Sequence, residues 1–230
     1  MREIRQPGTH SYVFSPYFEP IATVKPGETV VMYTIDAFGD LITSESDRPS
    51  EILGPYLNPQ TGPIFVEGAE PGDTLSVKIE NIEATRDWAV SASIPYFGGL
   101  TATNFTRLLH DPLPEQVWKY QIADGWVTRN NRLRFPWRPF MGTIGTAPHI
   151  EAISALAPGA HGGNMDVPDV RPDHTVYLPV RIPGAHFFTG DAHAGQGQGE
   201  LCGVALEISA KVTVTFDLIN RAWRDLGLQV

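Results

Sequence analysis

Lys211-Val212-Thr213-Val214-Thr215-Phe216-Asp217-Leu218-Ile219 alternates apolar and polar residues almost without a break. In extended backbone Val212, Val214, Phe216 and Leu218 point to one side, and Thr213, Thr215 and Asp217 to the other. A period of two is the mark of a strand with one face in a core and one in water. The same reading extends upstream to Val204. It recurs over Thr74 to Ile82 and over Thr175 to Val180. Ile21 to Ile35 reads as strand, Pro26-Gly27-Glu28 turn, strand, and Val117 to Val127 as a hairpin about Asp124-Gly125. The chain carries 20 prolines and 22 glycines, which cut it into short extended runs and leave little room for long helices. The expected fold is therefore mainly β, an antiparallel sandwich or barrel-like domain with few short helices. The helical candidates are Thr103 to His110, Ile150 to Leu156 and the tail from Ile219.

A proline-led turn opens several of these runs. Lys25-Pro26-Gly27-Glu28-Thr29 resembles Glu70-Pro71-Gly72-Asp73-Thr74, and Arg171-Pro172-Asp173-His174-Thr175 is a looser third copy. Duplicated β units explain the pattern, and so does convergent use of one turn chemistry.

Composition bounds the function. The 230 residues suffice for one full core, with 42% hydrophobic and 19% charged residues. A formal charge of −9 argues against nucleic acid or an anionic membrane surface as partner. The single cysteine, Cys202, excludes an intramolecular disulfide and fits a reducing compartment. The N-terminus lacks the apolar segment of a signal peptide, and no run has the ~20 apolar residues of a membrane span. The expected location is cytoplasmic.

The chemically loaded stretch is Gly190-Asp191-Ala192-His193-Ala194-Gly195-Gln196-Gly197-Gln198-Gly199-Glu200. Such glycine density weakens regular structure but lets backbone bend tightly around a small ligand. Asp191 and His193 are two residues apart, so in extended backbone both point the same way. An imidazole with carboxylates suits Zn²⁺; carboxylates with carbonyls suit Ca²⁺. A flexible surface loop is the bland alternative. His161-Gly162-Gly163-Asn164-Met165-Asp166 is a second glycine-rich segment, readable as a turn or as part of the same site. Asp36 ends an apolar run, where it either starts a turn or delivers a carboxylate to a sheet edge. Cys202 reads as a small buried hydrophobe, or as a thiol partnered by His193. His10, His110, His149, His174 and His186 fall in no partner pattern. There is no Gly-x-Ser-x-Gly, Ser-x-x-Lys, His-Glu-x-x-His or phosphate-binding glycine loop, which leaves hydrolysis by a metal or carboxylate site.

Taken together, these two segments, with Leu201-Cys202-Gly203, Thr61 to Thr74 and Met141-Gly142-Thr143-Ile144-Gly145-Thr146-Ala147-Pro148, resemble the acetamidase/formamidase family. The resemblance runs in order from about Val13 to Ile219. It implies one mostly β domain over residues 1–230, a divalent metal, and hydrolysis of short aliphatic amides to carboxylate and ammonia. The positions that match are Asp36, His161, Asn164, Asp166, Asp191, His193, Gln196, Glu200 and Cys202, and side-chain chemistry assigns their roles: Asp36, Asp166, Asp191 and His193 are the expected ligands of Zn²⁺, or of Ca²⁺ as the alternative. Glu200 is the expected general base. His161 and Asn164 are expected to stabilise the oxyanion, and Gln196, Gly162 and Gly163 to bind substrate. Asp36, His161, Asp166, Asp191, His193 and Glu200 should then line one pocket. The partner expected is a small amide, in a homo-oligomer, a dimer first. Two departures from the family are Gln198, where an acidic residue is usual, and the absence of the family's C-terminal region after about residue 220. The alternative function is a non-catalytic metal-binding β-sandwich, a binding module or inactive amidase homologue.

Overall fold

The Ala210–Ile219 strand is the central member of a five-stranded sheet. Thr29–Thr34 and Thr74–Ala84 flank it, and Arg2–Ile4 and Thr175–Pro179 form the edges. The computed structural model describes residues 1–101, 111 and 113–219. Val212, Val214 and Phe216 are buried and Asp217 is exposed, as the alternation requires. Along Thr74–Ala84, Leu75, Val77 and Ile79 are buried, then Ile82. The change of phase is a β-bulge: Thr213 pairs with Asn81 but Val214 with Ile79, leaving Glu80 unopposed.

A larger, eleven-stranded sheet packs against the first. Its spine is Trp88–Ser93, Glu207–Ile208, Phe187–His193 and Phe140–Thr146, and the Gln116–Ala123 and Trp126–Arg129 hairpin extends one end. Asp124 and Gly125 both have positive φ, the signature of a two-residue primed turn. Nearly all pairings are antiparallel; Arg2–Ile4 with Thr29–Thr34 and Ala22–Val24 with Gln60–Val66 are parallel. One apolar cluster joins the sheets, with Met32, Leu75 and Phe216 from the smaller and Ile64, Met141 and Phe187 from the larger. The Phe187 and Phe216 rings meet edge to face at 5.1 Å across the layers. Burying a side chain such as Phe216 stabilises the fold by roughly 1.5–3 kcal/mol.

The three proline-led segments make the same turn. Each has a first-to-fourth hydrogen bond (Glu28 to Lys25, Asp73 to Glu70, His174 to Arg171) and a positive φ at the third residue, 81° at Gly27, 98° at Gly72 and 70° at Asp173. That is type II turn geometry, with Pro fixing the second residue. All three open strands of the five-stranded sheet.

Among the described residues one α-helix occurs, Pro49–Ile52. Ile150 to Leu156, expected as a helix, is a short strand and a turn instead: Ile153–Ser154 pairs with Val13–Phe14, and the chain turns at Ala155 and Leu156. A seven-residue helix cannot recover its nucleation cost alone, and the pairing buries Ala155 beside Phe14. The other two helical candidates, Thr103–His110 and the tail beyond Ile219, lie outside the described residues. No described helix is long and apolar enough to cross a membrane.

Candidate active site

Phe187–His193 keeps Phe140–Thr146 on one edge throughout, but changes partner on the other. Gln60–Val66 pairs with it as far as Gly190, and Glu207–Ile208 takes over at Ala192. Asp191 sits at the changeover with φ 56°, an uncommon conformation for a non-glycine residue. There its side chain is buried beside that of His193, and Asp191 Oδ1 lies 3.1 Å from His193 Nε2. Glu207 Oε2 reaches the same Nε2 at 3.4 Å from the adjoining strand.

Neighbours fix these groups. Gln196 Oε1 is 3.0 Å from His193 Nδ1. An amide oxygen only accepts, so Nδ1 carries a proton and Nε2 is left facing the carboxylates. Gln196 Nε2 donates to the Asp166 carbonyl oxygen at 3.0 Å. Asp191 Oδ2 accepts from Asn58 Nδ2 at 3.0 Å and from Thr143 Oγ1 at 3.1 Å. Asn164 Nδ2 donates to Asp166 Oδ2 at 2.8 Å. Gly142 makes the convergence possible. A Cβ there would stand 2.6 Å from both Asp166 Oδ1 and Asp191 Oδ2.

The electrostatics are those of crowded, buried carboxyls. Burial, reinforced by Asp166 and Glu207, pushes Glu200 up to about 8. Burial and Asp191 raise Asp166 to about 6. Burial raises Glu207 to about 7 against the pull of His193. Burial works to lower His193, but Glu207 and Asp191 outweigh it and hold the imidazolium well above its usual range. Burial likewise opposes ionisation of Asp191, yet His193 keeps its carboxyl low.

This donor set fits a divalent cation. Asp166, Asp191 and His193 bring one ligand atom each within 4.8 Å of one another, and so do His193, Glu200 and Glu207. Asp166 Oδ1 and Glu207 Oε2 are buried with no hydrogen-bond partner. Two donors ~2.1 Å from one ion stand about 3 Å apart, close to the observed Asp191–His193 separation. Beside the cluster is a cavity of about 20 Å³, lined by Asn58, Asn164, Asp166, Asp191, Glu200 and Glu207 on its polar side and by Phe38, Leu57 and Phe97 on its apolar side.

The structure thus brings together Asp166, Asp191, His193, Glu200, Asn164 and Gln196. It does not bring in Asp36 or His161. Asp36 Oδ2 is bonded to Arg86 at 2.5 Å, and its Oδ1 accepts the backbone N–H groups of Phe38 and Asp40. With both oxygens spent, the ligand role expected for Asp36 is replaced by turn-starting, the other reading of that residue. His161 packs edge-on against Phe14 at 4.8 Å with neither ring nitrogen hydrogen-bonded, so the oxyanion role expected for it finds no support in its surroundings. Gly162 and Gly163 belong to a strand paired on both edges, with Phe140–Thr146 and with Pro158–Gly159. That spends their backbone groups on the sheet rather than on substrate. Gln196 acts on His193 and Asp166. Cys202 Sγ lies 3.0 Å from the Val204 carbonyl oxygen, and both His193 ring nitrogens face other groups. Gln198 is exposed, so its neutral amide takes no carboxylate from the cluster.

Glu207, Asn58, Thr143 and Gly142 were not legible as site residues. Glu207 alone left a signal, a lone carboxylate inside the apolar run Val204-Ala205-Leu206-Glu207-Ile208.

Comparison with known proteins places the chain in a family. The chain is 42% identical to an acetamidase of Yersinia enterocolitica of known structure, with TM-score 0.91 over 100% of this chain and 69% of that one. An acetamidase structure from Bacillus halodurans matches at 35% identity and TM-score 0.86, over 94% of this chain and 70% of that one. A formamidase of Methylophilus methylotrophus is 26% identical over 93% of this chain and 65% of its own length. The chain thus spans about two thirds of the length of these relatives. The acetamidase/formamidase family profile matches residues 4–157 and 149–229, and the chain belongs to that family.

Proposed function

We propose that this protein hydrolyses the C–N bond of short amides, R–CO–NH₂ + H₂O giving RCOO⁻ and NH₄⁺, with a divalent cation, Zn²⁺, at Asp166, Asp191 and His193. One observation carries the reading: the small cavity in which the Glu200 carboxyl meets a metal-fitting cluster and an apolar wall. Bound there, the cation supplies Lewis acidity, drawing the pKa of water toward ~7 and polarising a carbonyl. The protein does the rest. Glu200 accepts a proton from water and returns it to the departing nitrogen, which a carboxyl raised by burial does well near neutrality. Asn58 and Thr143 hold Asp191, and Asn164 holds Asp166, so the carboxylates do not turn away. Glu207 keeps a second carboxylate on His193. Phe38, Leu57 and Phe97 exclude water and limit the acyl group to one or two carbons, since the cavity is not much larger than a water site.

The test is ammonia release from formamide and acetamide by protein of measured metal content. Release that tracks metal loading supports the reading. Metal-replete protein that releases none overturns it in favour of a metal-binding module.

A further inference from the structure

We infer that the site also hydrolyses amides substituted on nitrogen, with a small acyl group and a bulky, apolar amine half. The inference rests on the amidase reading above and names the substrate class of the same site. Two cavities meet at Glu200. One is the pocket of about 20 Å³ that holds the carboxylate cluster. The other is a cleft of about 710 Å³, open to solvent, with Tyr120, Phe135, Phe140 and Leu206 on its walls. Glu200 and Val204 line both.

The chemistry sets which half of a substrate goes where. The carbonyl carbon must face the cluster, so the acyl substituent enters the small pocket. The nitrogen must face the group that protonates it, Glu200, so whatever the nitrogen carries extends past Glu200 into the cleft. Ammonia needs no such room. A cleft of this size lies within the range of small-molecule sites, and aromatic walls suit an aryl or alkyl amine. The step balances without any further reactant. Water oxygen bonds to the carbonyl carbon, the C–N bond breaks, Glu200 passes one water proton to nitrogen, and RCOO⁻ leaves with the amine as the second proton goes to solvent.

Three substrates test this: formamide, formanilide (ring on nitrogen) and benzamide (the same ring on the acyl side). Expected is a kcat/KM for formanilide at least equal to that for formamide, with benzamide at least ~100-fold lower. Phe135→Ala, at an exposed position on the cleft wall, should raise KM for formanilide about 2- to 10-fold and leave formamide unchanged. Protein that turns over formamide but not formanilide, or benzamide as well as formanilide, overturns the inference and leaves the amidase reading standing. Protein that turns over none of the three defeats that reading. Binding of acetanilide to Glu200→Gln, by calorimetry, then decides the cleft separately. Binding weakened by Phe135→Ala supports the subsite, and no binding overturns it.

Discussion

His193 Nε2 stands 3.1 Å from Asp191 Oδ1, two residues away on a strand that changes its hydrogen-bonding partner at Asp191. The left-handed backbone at Asp191 is held by partners on both sides, so its strain is offset by the sheet. Around this pair the Asp166, Glu200 and Glu207 carboxyls, from three other segments, meet in a space that Gly142 keeps open.

Asp191→Asn removes a charge at the centre of this cluster while preserving shape. Metal bound per chain is expected to fall toward zero at micromolar metal, with amide hydrolysis lost in parallel. Elemental analysis of the purified variant checks it. Full occupancy would remove Asp191 from the ligand set.

Gly142→Ala tests the crowding alone, since the backbone there is not left-handed. The new methyl would crowd Asp166, Asp191 and the His193 ring together. Metal affinity is expected to weaken about 10- to 100-fold, the usual cost of disturbing ligand support. A metal titration of the folded variant measures it.

Arg86→Met should destabilise the fold by about 3–5 kcal/mol, because it strands the buried Asp36 carboxylate. Arg86 also stacks on the Trp88 ring at 3.6 Å. The double variant Asp36→Asn/Arg86→Met is expected to recover part of the loss, read by denaturant unfolding. Its metal content should match the parent. Metal loss on Asp36→Asn alone, with the fold intact, would restore Asp36 to the ligands.

His161 gives a pH signature. Burial holds its pKa below the ordinary 6.5, so the unfolded chain binds the proton more tightly than the fold does. Its contribution to stability is complete above pH 6.5 and is lost as pH falls from 6.5 toward the lowered folded value. His161→Phe, which fills the same edge contact with Phe14, is expected to flatten unfolding free energy across that window and to leave activity intact. Activity lost on this change would return His161 to the oxyanion role.

The strands were legible because each obeys local rules: alternation over Val212 to Leu218, Asp124-Gly125 at a hairpin, Pro-Gly at type II turns. Which sheet a strand joins was not, since Ala210–Ile219 finds its neighbours more than a hundred residues away. The same division holds at the site. Asp191, His193 and Glu200 stood out as acid and imidazole among glycines. Asn58 and Arg86 act only through contacts that the fold creates, and nothing local marks them. Asp36 shows the converse. Its position at the end of a strand is real, but the charge it faces is Arg86, fifty residues on.

The most direct test of the account is the rate of ammonia release from formamide by Glu200→Gln, at metal content equal to the parent's. Glutamine keeps the size and polarity of the side chain and removes the proton acceptor. The account expects kcat to fall by roughly 10²–10⁴-fold with the melting temperature nearly unchanged. An undiminished rate at full metal occupancy would contradict it.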